Sequence, residues 1–482
     1  MQSQARASSP DTSDRDGPLV ASNRAPSAAR PALPSLERRL GPLDAAAVIV
    51  SNVIGGGILF TAPQVAASVP DAWWFLFTWL AGGLLALSGA MAYAELAALR
   101  PRAGGEYVYL HAAFGPLAAF LTGWTSFVAG FSGAIAVSAV VFADYLGRFA
   151  PLAADRTALV SIPLPAVPLT ISAHSLTAIL VIVALSWIHF RGVGPGRVVG
   201  NVLASLKVSA LVLFVVLGVS LGVGSTEHFV PQFTVPAGGW LLALVPVMFT
   251  YSGWNAASYV AEEIRDPGRN VPRALALGTG AVIAIYLALN AVYVYVFPMQ
   301  TLAGLRGSVL DRVADRLLGA AAGDVMGIVA IISLAASISA MVFAGPRVYY
   351  AMARDGLFFP RAAQVHPGYR TPAVSIAAQA AWSTVLVLSA KADALVNYTG
   401  FAVVLFSGIA GVALFVLRWR HPEEKRPFRA WGYPVAPGVF VLASALIVLN
   451  AIWQSPRPSG AGVVIILAGL PLYWYLRRRR RD

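Results

Sequence analysis

The chain has 482 residues, 57% hydrophobic and only 12% charged, with a mean hydropathy of +0.69. A soluble domain carries roughly 25% charged residues, so this composition excludes one and indicates an all-α polytopic membrane protein. The net charge of +13 sits at the ends of apolar runs, where it sets topology rather than binding nucleic acid, and the lack of cysteine excludes disulfides, thiolate metal sites, cysteine nucleophiles and a disulfide-linked accessory subunit.

Residues 1–36 are rich in Ser, Pro, Ala and Arg and contain no apolar run. They read as a disordered cytoplasmic tail, with no signal-peptide core ahead of the first span. About twelve spans follow, at roughly 42–69, 73–99, 116–147, 173–191, 200–224, 237–264, 272–297, 323–354, 372–390, 393–419, 432–454 and 459–476. Residues 37–419 are expected to form a core of two five-span halves, about 42–224 and 237–419. Residues 420–482 carry the last two helices and a basic C-terminus.

The first span is interrupted by Gly55-Gly56-Gly57. Glycine costs about 1 kcal/mol relative to alanine within a helix. Two readings fit: a small-residue face for close helix packing, or a helix broken at the midplane. A break exposes free N–H groups at the start of the second half-helix, which suit a carboxylate. The sixth span repeats the theme with Phe249-Thr250-Tyr251-Ser252-Gly253-Trp254-Asn255, and Gly253 lies 197 residues after Gly56. Broken helices five spans apart predict a five-plus-five inverted repeat with helices 1 and 6 broken.

Charge sets the orientation. With the N-terminus inside, twenty-three of the 35 lysines and arginines lie on the inner side and seven on the outer. Both termini are therefore expected to be cytoplasmic, in a multi-pass protein of the cell (inner) membrane.

Several stretches together resemble the amino acid–polyamine–organocation (APC) superfamily, and within it the L-amino acid transporter family. They are Val53-Ile54-Gly55-Gly56-Gly57-Ile58, Tyr93-Ala94-Glu95-Leu96, Pro101-Arg102-Ala103-Gly104-Gly105-Glu106-Tyr107-Val108-Tyr109 and the segment 249–255. The segments 262–273 and 347–356 and the run Arg426-Pro427-Phe428-Arg429 complete the set. The resemblance implies an alternating-access permease for L-amino acids. It implies that amides of Gly56 and Gly57, with Ile54 and Gly55 beside them, hold the substrate carboxylate, and that carbonyls at Val53, Phe249 and Ser252 hold the α-ammonium. Gly56 departs from the family, which often has Ser there. Thr250 and Ser252 replace smaller residues and would narrow or polarise the side-chain pocket.

Phe249 reads either as core packing or, by the resemblance, as an aromatic gate over the substrate. Asn255 either contacts substrate or caps freed backbone. Lys207 is the only basic residue inside a span on this reading. It either snorkels to the inner interface or acts as a buried cation. The resemblance implies the latter, with its ammonium on carbonyls of the first helix where sodium-coupled relatives hold an ion, so proton coupling is open. Glu95, Glu106, Glu262, Glu263, Arg347 and Arg354 read as an inner gate or helix-end ion pairs. Gly194-Pro195-Gly196 reads as a loop turn, not a phosphate cradle. The six histidines show no metal-ligand spacing, so no metal, cofactor or enzymatic activity is expected. No Asp or Glu falls mid-span in spans 1, 3, 6, 8 and 10. The favoured substrate is therefore a neutral amino acid; the alternative is a polyamine or cationic amino acid.

Overall fold

The computed structural model describes residues 36–163, 168–221, 224–231, 237–306, 308–319, 321–389, 392–454 and 456–478. Of the tail expected at 1–36, residues 1–35 lie outside them. Leu36 is already buried, in a small cluster with Ala103, Tyr350 and Val365.

The first span is two helices, α1 (Pro42–Val53) and α2 (Gly57–Ser68), bent by 53° at the glycines. Then come α3 (Ala72–Leu99) and the short α4 (Glu106–Phe114). The third span is α5 (Pro116–Thr125) and α6 (Phe131–Leu146), joined by a π turn at Ser126–Gly130. A π turn departs from the α-helical hydrogen-bond ladder, here with the Phe131 N–H on Ser126 O, and its carbonyls also accept from side chains. Trp382 Nε1 donates to Val128 O at 2.7 Å and Tyr349 Oη to Ser126 O at 3.2 Å.

A hairpin of β1 (Val160–Ile162) and β2 (Leu169–Ile171), which hydropathy does not signal, precedes α7 (Ala173–Phe190). The fifth span is α8 (Val193–Leu221). It starts seven residues earlier than hydropathy suggests, because Gly194-Pro195-Gly196 forms its first turn rather than a loop. Proline is tolerated there, where a missing N–H breaks no helical hydrogen bond. The sixth span is α9 (Ala237–Thr250), a turn, and α10 (Ala256–Tyr259).

The remaining helices are α11 (Pro267–Val296), α12 (Met299–Gly304), α13 (Val309–Leu318), α14 (Ala322–Arg354), α15 (Ala373–Leu388), α16 (Ala392–Arg420), α17 (Val435–Gln454), α18 (Pro456–Leu467) and α19 (Gly469–Arg478). Among the described residues nine helices are long and apolar enough to cross a membrane; the bent α1–α2 pair makes a tenth, and Gly239–Thr250 and Ala373–Leu388 are shorter apolar helices. Together they occupy the twelve expected positions. The protein is an all-α multi-pass membrane protein with breaks in its first and sixth spans.

Burial follows from this arrangement. Of the nine long spans among the described residues α14 is the most enclosed, with 72% of its apolar window buried against 17% for α17. Outward-facing Leu180, Val219, Leu446 and Trp453 are exposed, as a lipid-facing surface requires. α1 packs against α8, α11 and α14, which places the first break in the centre of the bundle.

Candidate functional site

The two breaks lie against each other. A Cβ on Gly57 would stand 3.2 Å from Thr250 Cα, and one on Gly253 would stand 2.7 Å from Asn52 Nδ2. Gly253 also has φ 97°, the left-handed region that favours glycine. This residue is therefore fixed twice, by its own backbone and by the approach of α1. Asn52 Nδ2 reaches Gly253 O at 3.5 Å.

Helix α1 ends with the Ile54 N–H on Val50 O at 3.0 Å. The N–H groups of Gly55, Gly56 and Gly57 make no backbone hydrogen bond outside the helices among the described residues, and a helix's first N–H groups have no intrahelical acceptor. Three consecutive donors therefore lie in the break next to the start of α2, and a helix N-terminus favours an anion. The glycines differ in the space above them. A Cβ on Gly55 would meet Ser337 Oγ at 3.1 Å, whereas one on Gly56 would meet nothing within 4 Å. Open space thus begins at Gly56.

The carbonyls at the breaks are partly engaged. Tyr286 Oη bridges both breaks, 2.9 Å from Val53 O and 3.2 Å from Thr250 O. Phe249 O accepts from Ser252 N at 3.0 Å. A carbonyl has two lone pairs, so both Val53 O and Phe249 O keep a further acceptor site. The buried Thr250 hydroxyl lies 2.9 Å from both Thr61 Oγ1 and Pro246 O, so it braces α9 against α2. Ser252 is half-buried. The Phe249 ring is 45% exposed and faces α16, where a Cβ on Gly400 would touch it at 3.7 Å.

Lys207 is fully buried on α8. Its ammonium donates to Ser51 O at 3.2 Å and to Ile54 O. It does not reach the interface. The lysine takes up two carbonyls that the end of α1 leaves without helical partners.

Four acids and their partners organise the end of the bundle where α1 begins. Arg347 and Glu263 form a fully buried bidentate pair at 2.7 and 3.0 Å. Arg354 holds Glu262 at 2.8 Å, and Arg102 holds Asp355 at 2.7 Å. Glu95 takes Arg418 at 2.6 Å, Arg426 at 3.0 Å and the Ala430 N–H at 2.7 Å. Leu40 pairs with this end too: its N–H donates to Glu263 O at 3.0 Å and its carbonyl accepts from Arg265 N at 2.9 Å. The span-end reading holds for Glu95, Glu262 and Glu263 but not for Glu106. Glu106 forms no ion pair among the described residues. It lies against the second break, where Asn255 Nδ2 donates to its Oε1 at 2.7 Å. Burial pushes its carboxyl up from the ordinary value, opposed by hydrogen bonds from Tyr93, Ser407 and Asn255. Sequence reasoning also missed Tyr286 and Thr61. Nothing local marks them, since each acts on a residue at least 189 positions away. No group of three or more metal-ligating side chains occurs among the described residues.

Residues 40–475 match the model of a family described as "Amino acid permease". The chain is also similar to the human "Large neutral amino acids transporter small subunit 2", 28% identical over 91% of this chain and 80% of that protein. It is similar to the mouse "Asc-type amino acid transporter 1", 28% identical over 91% and 81%. With the "Serine/threonine exchanger SteT" of Bacillus subtilis (strain 168) it shares 26% identity over 92% of this chain and 98% of that one. A match across nearly the whole span-containing region, on a fold with paired broken helices, makes this chain a member of the amino acid permease family.

Proposed function

We propose that this permease exchanges neutral L-amino acids across the cytoplasmic membrane by alternating access, with both termini in the cytoplasm. The single observation that supports this is the contact of the two breaks, Gly57 against Thr250 and Gly253 against Asn52, beside Gly55, Gly56 and Gly57 N–H groups with no backbone acceptor among the described residues; on this reading carbonyls at Val53, Phe249 and Ser252 complete the clamp. One end of this clamp favours a carboxylate and the other an ammonium. The N–H donors reach the anion from the start of α2, Phe249 stands over the open side, and Ser252 and Asn255 border the side-chain space. The orientation rests on the arginine bias between loops. The relatives named above are a large neutral amino acids transporter, an Asc-type amino acid transporter and a serine/threonine exchanger, which supports a neutral substrate.

Lys207 acts as a fixed cation that ties α8 to the end of α1 and makes a coupling sodium unnecessary. The core at 37–419 performs transport, and α17 to α19 brace it. Because the chain has no cysteine, any accessory subunit associates without a disulfide.

The test is counterflow in proteoliposomes with a panel of twenty amino acids and several polyamines. Small or leucine-like neutral amino acids compete far better than arginine or putrescine, and uptake is unchanged when choline replaces sodium. Arginine or putrescine as the best competitor overturns the neutral reading. A strict sodium requirement overturns the role of Lys207, and accumulation driven by a pH gradient replaces the fixed cation with a proton carrier.

A further inference from the structure

Glu106 opens α4 and is 8% exposed. Its Oε1 accepts from Tyr93 Oη at 2.7 Å, Asn255 Nδ2 at 2.7 Å and Ser407 Oγ at 3.0 Å. No lysine or arginine lies within ion-pair distance among the described residues. A buried carboxylate is thus held only by neutral donors, drawn from α3, α16 and the turn of the sixth span. Burial alone favours the neutral acid, but donors gathered on one oxygen oppose it by favouring the ionised form, which accepts and does not donate.

The consequence falls on Asn255. Its amide has two N–H donors and one acceptor oxygen. One N–H goes to Glu106 and the other to Tyr259 Oη at 3.0 Å. The Tyr259 hydroxyl in turn interacts with the Glu106 carboxylate. Both amide protons are therefore taken on one side. Asn255 Oδ1 has no hydrogen-bond partner among the described residues and is not completely enclosed, although the residue as a whole is buried. Flipping the amide would turn Oδ1 onto a carboxylate with no proton to offer. The acid fixes which pole of the amide faces outward.

We propose that Glu106 is a positioning residue that holds Asn255 with its amide oxygen toward the substrate, so that the permease prefers amino acids whose side chain carries a hydrogen-bond donor, a hydroxyl in particular. The inference rests on the substrate site proposed above and adds the sign of its polar contact. Threonine and valine share a shape and differ by a hydroxyl in place of a methyl. An acceptor held ready for a donor goes unpaired against valine and is satisfied by threonine, a difference of roughly tenfold.

The experiment uses the full chain in proteoliposomes and measures how unlabelled threonine and valine inhibit uptake of labelled L-alanine. Wild type favours threonine over valine by about tenfold. Glu106→Gln brings the two within about twofold, because its amide can donate to a flipped Asn255. Glu106→Asp keeps the acceptor and restores most of the preference, and Asn255→Ala abolishes it. A residue with a purely structural role would lower uptake of both amino acids and leave the ratio alone. Should Glu106→Gln not fold, Tyr259→Phe removes the acceptor of the second N–H and lowers the ratio in the same direction. An unchanged ratio in Glu106→Gln or in Asn255→Ala, or no threonine preference in wild type, overturns the proposal. Absence of uptake of any amino acid by wild type instead removes the substrate site beneath it.

Discussion

Adjacent glycines at the first break do different work, and the difference is steric. Gly57 faces Thr250 Cα at a distance that leaves no room for a branched side chain, whereas Gly56 faces open space in ordinary right-handed helical geometry, φ −61° and ψ −30°. Substitution at Gly57 therefore separates the two breaks, and substitution at Gly56 fills the space where a carboxylate would sit. Gly56→Leu should abolish uptake while leaving the thermal unfolding midpoint in detergent close to wild type. Gly57→Val should lower that midpoint as well. The reverse pattern would move the anion site away from Gly56. Lys207 follows a second residue-scale argument. Lys207→Ala leaves Ser51 O and Ile54 O without their donor in a dry setting, at about 1–3 kcal/mol per group. That variant should unfold at lower temperature and show little exchange, and near-normal transport by it would reduce the lysine to a dispensable filler.

The helix that carries the second break is unusually fragmented for a span. α10 has four residues and is followed by a 3-10 turn at Ala261–Glu263. So short an element gains little from its own hydrogen bonds; contacts to neighbours hold it. The fully buried Arg347–Glu263 pair anchors its end to α14. Removing one member leaves an uncompensated buried charge, which costs about 3–5 kcal/mol. Arg347→Met should therefore destabilise strongly, and Arg347→Met with Glu263→Leu should recover much of the loss in detergent unfolding. A milder latch joins the end of α3 to the loop before α17. Arg100 holds Glu424 at 2.5 and 3.0 Å, and its hydrogen bonds hold the Glu424 carboxyl below the ordinary value. A depressed carboxyl adds stability above the unfolded pKa and loses it as pH falls through the folded one. Proteolysis of the 421–431 loop should thus accelerate below about pH 4, and Arg100→Gln should show the faster rate already at neutral pH. The effect is small, about 0.2–1 kcal/mol, because both groups are partly exposed.

Across the whole molecule, ion pairs concentrate where α1 begins. Arg347–Glu263, Arg354–Glu262 and Arg102–Asp355 tie the end of the sixth span to α14 and to the segment before α4. Under the alternating access proposed above, that end would have to open, and these pairs would then break or shift together. The absence of cysteine offers a direct readout. A single cysteine in place of Ala340, on α14 beside α1, should react slowly with a polar maleimide in resting protein and faster in Arg354→Gln. Equal rates would remove the ion pairs from the gate.

The sequence alone determined the number and order of the spans and the places of the two breaks. These are sums over local residues: about twenty apolar side chains make a span, and clustered glycine weakens a helix wherever it falls. The ordered motifs from Val53 to Arg429 carried the family likeness for the same local reason. Only the tertiary structure decided where the isolated polar groups act. Lys207 could as well have snorkelled, but α8 starts earlier than hydropathy indicates and its lysine meets the end of α1. Glu106 looked like its acidic neighbours at span ends, yet at the start of α4 it meets Asn255, 149 residues on. Tyr286 bridges both breaks from α11 with no local signal at all. Hydropathy and helix propensity are properties of neighbours in sequence. The partner of one buried charge or hydroxyl is set by packing between distant helices, because a polar group in a dry interior must find whichever complementary group the fold brings to it.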